Sequence, residues 1–341
     1  MNRKKTGIIG RLAAGALALS MAAVSSGCQQ QAQSNGTIYV IAQTRGVQFW
    51  DLLKVGTEDA ANELNYTIAY FDTESANDVD AQRTYIQQAI ANDAKGIVIA
   101  PWSATELNSE LEKAYTAQIP VITVSSSATY PGVDSYVGSD NTAAGQIAGR
   151  QLASVLPDGG DIVIIGHSAT AANATGRIQG FIDSVNAINA QYKAAYGEQN
   201  TSIKDPYNLV TTEYSNGQRD GTKELAAQAL KEHPDLKLIY ATNENSTLGV
   251  CDAISEAGKT GQVKVIGFNS NDAELNYIQQ GVLTGTMVQS PYNMGYLGVR
   301  FIDKLQSNEE IRSNYDTGAI YVTSSNLNDD IIQLWIHPDK Q

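Results

Sequence analysis

The stretch TIYVIAQTRGVQFWDLLKVG, residues Thr37 to Gly56, contains a strand, a loop and the start of a helix. The β-branched run TIYVIA favours an extended strand, TRG interrupts it, and apolar residues recur at helical spacing from Phe49 onward. Phe49, Leu52, Leu53 and Gly56 fall on one helix face, whereas Trp50 turns about 100° away, toward Lys54 and Thr57. A core accounts for Phe49. Trp50, in the first turn of a helix beyond a strand's carboxyl end, is expected to face a cleft, with Phe49 bridging core and pocket.

The same rhythm continues in both directions. Apolar runs such as TIAYFD, GIVIAP, VITVSS, DIVIIGH, LKLIYATN and VKVIGF alternate with segments of helical periodicity such as AQRTYIQQAIAND and KELAAQALKEH. Near-continuous apolar strands joined by helices imply parallel sheets covered on both faces. One series of strand–helix units runs from Thr37 to Ser126 and a second begins at Asp161, with YVGSDNTAAGQIAG between them. The chain is therefore read as α/β, with two doubly wound parallel-sheet lobes. Ligands of such sheets bind beyond the carboxyl ends of the strands, and the loops there are rich in neutral amides, hydroxyls and aromatics.

With 341 residues, 42% hydrophobic and 17% charged, the chain is long enough for two ordinary domains. Residues 1–27 carry Arg3, Lys4, Lys5 and Arg11, then an apolar run and small residues, the pattern of an export signal. SSGC places Cys28 at a bacterial lipobox, with simple secretory cleavage as the alternative. Residues 28–36 then form a polar tether. Removing 1–27 deletes four basic and no acidic residues, which moves the net charge from −13 to −17. So acidic a body suits phosphate backbones poorly, and no nucleic-acid partner is expected. Cys251 is then the one cysteine beyond Cys28, so no internal disulfide is expected, and its helical apolar context suits a buried residue.

Catalytic patterns are weak. IIGHSAT places His167 and Ser168 after a strand, but a hydrolase elbow needs glycine where Thr170 stands. The other histidines, His233 and His337, have no partner at metal-ligand spacing, and neither glycine-rich phosphate fingerprint is present. No enzyme, no metal and no cofactor is expected.

Several segments, taken in order, resemble the periplasmic binding proteins for simple sugars of the ribose and galactose type: the opening strand and aromatic-led helix, GIVIAPWSATEL, QIPVITVSSS, VGSDNTAAGQIAG, GRIQGF, ATNENSTLGVCDAI, VIGFNSNDAE and MVQSPYNMGYLGV. The resemblance implies a type I fold with two lobes joined by a three-strand hinge, 37–139 plus 290–321 and 140–289 plus 322–341. It implies ligand contacts from Phe49, Trp50, Ser125, Ser126, Thr175, Asn243, Asn269 and Gln289, with Tyr214 as a further aromatic. Sugar C–H faces suit aromatic rings, and their hydroxyls suit amides. Ribose-type relatives carry charged residues where Ser125, Ser126, Thr175 and Asn269 stand, so a neutral polar ligand held differently from ribose is expected. Arg45 could restore one charge or lie on the surface, Trp102 could line the cleft or pack, and Arg177 is read as a locally paired helix residue.

The implied function is an extracytoplasmic, lipid-anchored monomer that captures a carbohydrate and delivers it to an ABC permease. A ligand-sensing module docking on a membrane receptor or histidine kinase is the alternative, followed by an exported α/β hydrolase. A DNA-binding repressor is disfavoured, because an export signal occupies the N-terminus where a basic helix-turn-helix would be needed.

Overall fold

The computed structural model describes residues 34–196 and 205–337. The export signal, Cys28 and residues 28–33 of the tether lie outside the described residues. The chain order is β1 (Thr37–Ile41), α1 (Gln48–Leu64), β2 (Thr67–Phe71), α2 (Val79–Ala91), β3 (Gly96–Ile99), α3 (Asn108–Thr116), β4 (Val121–Val124) and β5 (Ser135–Gly138). There follow α4 (Asn141–Arg150), α5 (Leu152–Val155), β6 (Gly160–Gly166), α6 (Ala172–Tyr196), β7 (Tyr207–Tyr214), α7 (Arg219–Glu232), β8 (Leu236–Ala241), α8 (Glu244–Glu256), β9 (Lys264–Phe268), α9 (Asp272–Gln279) and β10 (Gly285–Val288). The chain closes with α10 (Pro291–Gln306), β11 (Asn314–Asp316), β12 (Ile320–Val322) and α11 (Asp330–Ile336).

Two six-stranded sheets result, ordered β11-β5-β4-β3-β1-β2 and β12-β10-β9-β8-β6-β7. All pairings are parallel except β10 with β12. Every strand of the first sheet has a counterpart in the second, so the two lobes repeat one strand order and differ in the direction of the edge strand, β11 parallel to β5 and β12 antiparallel to β10. Side chains alternate across the first sheet as the strand period of two requires. Ile38, Val40, Val98 and Val124 join the layer of α1 and α10, whereas Tyr39, Ile41, Ile97 and Ile99 join that of α2 and α3. Both faces are covered, which is why GIVI in β3 is apolar throughout and wholly buried.

The chain crosses between lobes three times, after β5, after β10 and after β11. The third crossing comes earlier than the expected boundary at 321, because Ile320 and Tyr321 already pair with Val288 and Met287 of the second sheet. Gly318, at φ 78°, makes the turn, and its carbonyl accepts the Ser139 hydroxyl at 2.6 Å.

Helix α1 departs from its helical-wheel reading. Both Phe49 and Trp50 are 6% exposed, and Thr57 is buried while Leu52 is only partly so. The cause is the partner helix: a Cβ on Gly56 would fall on the Tyr292 carbonyl, and one on Gly295 on that of Leu53. The small faces let α1 and α10 approach backbone to backbone, so α10 covers the side of α1 that carries Thr57. Trp50 is as buried as Phe49 and packs in the same apolar cluster.

Candidate functional site

Between the lobes, the carboxyl ends of both sheets enclose a narrow cavity of about 20 Å³. The walls stand close together, so a sugar ring enters only if the lobes part. Phe49 and Trp50 form one wall, their rings 4.8 Å apart and nearly perpendicular at 83°. Trp102, 2% exposed, forms another. Its indole N–H donates to the Gln43 carbonyl at 2.6 Å, and its peptide N–H to Gln82 Oε1 at 2.9 Å. The ring tip stands 3.5 Å from where a Cβ on Gly217 of the opposite lobe would lie.

The polar side of the cavity is a connected network. Arg177 is 2% exposed and donates to Asn141 Oδ1 at 2.9 Å, the Thr242 carbonyl at 2.7 Å and Gln289 Oε1 at 2.9 Å. Gln289 Nε2 in turn donates to Asn269 Oδ1 at 2.8 Å. The guanidinium thereby fixes which way both amides point. It also lies 4.0 Å from the Phe268 ring centre. Burial pushes the Arg177 pKa down to about 10, which leaves it a cation at neutral pH.

His167 is held at both ring nitrogens, Nδ1 by Thr242 Oγ1 at 2.9 Å and Nε2 by Asn173 Oδ1 at 3.1 Å. Burial, and then the nearby Arg177 charge, push its pKa down to about 3. Ser168 Oγ accepts the N–H groups of Thr170 and Ala171, so it caps its own turn rather than pairing with His167. No nucleophile–base pair forms there.

Glu244, 4% exposed, reaches across the cleft from the first turn of α8. Its two oxygens accept the peptide N–H groups of Gln48 and Phe49 at 3.2 and 3.3 Å. Burial raises its pKa; the Asn271 side chain and those two N–H groups act against that rise.

Of the residues expected to contact ligand, the structure brings Phe49, Trp50, Ser125, Asn243, Asn269 and Gln289 together around the cavity. Ser126 is fully buried outside the lining, with its hydroxyl unpartnered. Thr175 is exposed and bonds to the Ala171 carbonyl of its own helix. Tyr214, 39% exposed at the end of the edge strand β7, packs beside Gly166. Arg45 lies on the surface, paired with Asp72 at 3.1 Å and Glu74 at 3.2 Å. Among the described residues no cluster of His, Cys, Asp or Glu is arranged to hold a metal, and no helix is long and apolar enough to cross a membrane.

A model of the periplasmic binding protein domain matches residues 38–310. The chain belongs to this family. It is a family of sugar-binding transport proteins rather than enzymes. Among its relatives, the ribose import binding protein of Salmonella typhimurium is 27% identical over 297 residues, covering 87% of this chain and 94% of the relative. Solved relatives include a carbohydrate transporter solute-binding protein from Agrobacterium radiobacter in complex with D-arabinose. It has a TM-score of 0.80 and 28% identity, covering 88% of this chain and 98% of that one. An ABC transporter solute-binding protein from Agrobacterium vitis with bound D-fucose matches equally well, with a TM-score of 0.80, 27% identity, and coverage of 87% and 99%.

This periplasmic binding protein fold brings into the cavity residues that sequence reasoning missed. Arg177 is no locally paired helix residue, since its partners lie 36, 65 and 112 positions away. The signal was the apolar setting of the only arginine in GRIQGF, where a solvated cation is out of place. Gln43, His167, Asn173 and Glu244 also line the cavity. Gln43 and His167 were within reach, because each follows the carboxyl end of the first strand of its lobe.

Proposed function

We propose that this protein captures a small neutral carbohydrate, one sugar ring in size, between its lobes and delivers it to an ABC permease. The observation that carries the reading is the cavity itself: the rings of Phe49, Trp50 and Trp102 face an amide and guanidinium network of Asn269, Gln289 and Arg177. Aromatic faces match sugar C–H surfaces, and the network offers donors and acceptors to ring hydroxyls. The sugars bound by the solved relatives are consistent with this chemistry. Phe49, Trp50, Ser125, Asn243, Asn269 and Gln289 are the proposed contacts, with Arg177 added. The protein acts as a monomer outside the cytoplasmic membrane, held there by lipid on Cys28. The basic start, apolar run and SSGC of residues 1–28 support that anchoring.

Thermal denaturation with D-arabinose, D-fucose, D-ribose, disaccharides and charged ligands tests the binding. A ligand at about 100 times its dissociation constant adds about 2.7 kcal/mol of stability. Protection by a single-ring neutral sugar is expected; protection by a charged ligand alone would overturn the reading. The anchor is tested by Cys28→Ala, which should move the protein from the membrane fraction to the medium or periplasmic extract. Retention on the membrane would show that Cys28 is not the anchor.

A further inference from the structure

Helix α1 begins without a cap from its own lobe. Its N-cap residue is Val47, extended at φ −119° and ψ 119°, with no side chain able to accept a hydrogen bond. The first amides of a helix need an acceptor, ordinarily Ser, Thr, Asp or Asn at this position. The acceptor here is Glu244 of the opposite lobe, which takes the N–H groups of Gln48 and Phe49 on its two oxygens. The exchange is reciprocal: Gln48 Oε1 accepts the Asp272 N–H at 3.4 Å, at the start of α9 in the second lobe. Glu244 itself sits in the first turn of α8, so its carboxylate meets the positive ends of α1 and α8 together. Asp51 and Glu274 are the like charges that oppose it.

We propose that Glu244 and Gln48 form an interlobe latch in which closure supplies each lobe with a helix-start contact from the other, and that Glu244 positions the Phe49–Trp50 wall over the ligand. Glu244 acts through α1 rather than through the ligand, so closed and open forms differ by a helix cap. The closed state gains a contact that the open state lacks, and ligand release requires breaking it. The latch uses the carbohydrate reading only for its binding probe.

The test compares wild type with Glu244→Ala, Glu244→Gln and Gln48→Ala by hydrogen exchange and by stopped-flow release of D-arabinose. Losing a cap of this kind corresponds to about a fivefold to tenfold change. Glu244→Ala should speed exchange at the Gln48 and Phe49 amides and D-arabinose release by about that factor, with association unchanged. Glu244→Gln, which keeps one acceptor oxygen, should fall between it and wild type. Wild-type exchange at Gln48 and Phe49 would overturn the latch, and so would a loss of protection spread evenly along α8, since Glu244 would then hold only its own helix. If D-arabinose, D-fucose and D-ribose all fail to bind wild type, the carbohydrate reading fails, and the exchange measurement still decides the latch.

Discussion

Burial of His167 between Thr242 and Asn173, beside the Arg177 guanidinium, keeps its imidazole neutral in the folded chain until about pH 3. In the unfolded chain the same group takes a proton near pH 6.5. Stability is therefore unaffected by this residue above pH 6.5 and is lost as pH falls below it, by up to about 1.4 kcal/mol per pH unit. Glu244 and Glu274 act in the opposite sense, since burial raises both. The difference between wild type and His167→Gln isolates the histidine. Urea denaturation at pH 6.5 and pH 5 should show wild type losing about 1.5 kcal/mol more than the variant. Equal losses would mean that His167 is protonated in the folded state. Sequence alone placed His167 after a strand without revealing its burial, because a strand-end histidine looks solvated until the packing around it is known.

At the scale of elements, α1 was legible as a helix from Phe49 onward, yet its buried face was misjudged. The wheel left Thr57 on an uncovered side, and only the partner helix α10, some 240 positions later, reveals that this position is packed. The glycines held the missing information. Gly56 and Gly295 face each other's backbones, a contact that periodicity cannot anticipate because it depends on which helix returns through the second crossing. Gly56→Ala should therefore destabilise despite alanine's better helix propensity, worth about 1 kcal/mol in its favour. Overpacking of this kind costs about 1–3 kcal/mol, and here the clash is with backbone, which has least room to shift. A lower urea midpoint at unchanged slope checks it. A midpoint at or above wild type would show that α1 and α10 can separate without cost.

At the scale of the whole molecule, the repeat of one strand order explains how the site is assembled. Ser125 after β4 and Asn269 after β9 occupy equivalent places, line the cavity, and hold positive φ values of 60° and 87°. Strain of that kind is stored where the surrounding structure fixes it. The two-lobed plan and three crossings were readable from strand rhythm and the resemblance, but contacts across the cleft were not, because no local pattern encodes which loop of one lobe meets which loop of the other. Trp102 and Gly217 are the clearest case: a large ring held by Gln43 and Gln82 in one lobe reaches across to Gly217 of the other, its tip 3.5 Å from where a Cβ there would lie. This pair should set the size limit of the site. Trp102→Ala removes the wall and should weaken D-arabinose binding by at least about tenfold, a loss of about 1.4 kcal/mol, while disaccharide binding weakens less or improves. Trp102→Phe, which keeps a ring but loses the indole N–H bond to Gln43, should retain the preference for one ring with reduced affinity. Calorimetric titration of both variants with D-arabinose and a disaccharide decides the matter. If Trp102→Ala keeps the wild-type ratio of the two affinities, ligand size is limited elsewhere in the cavity.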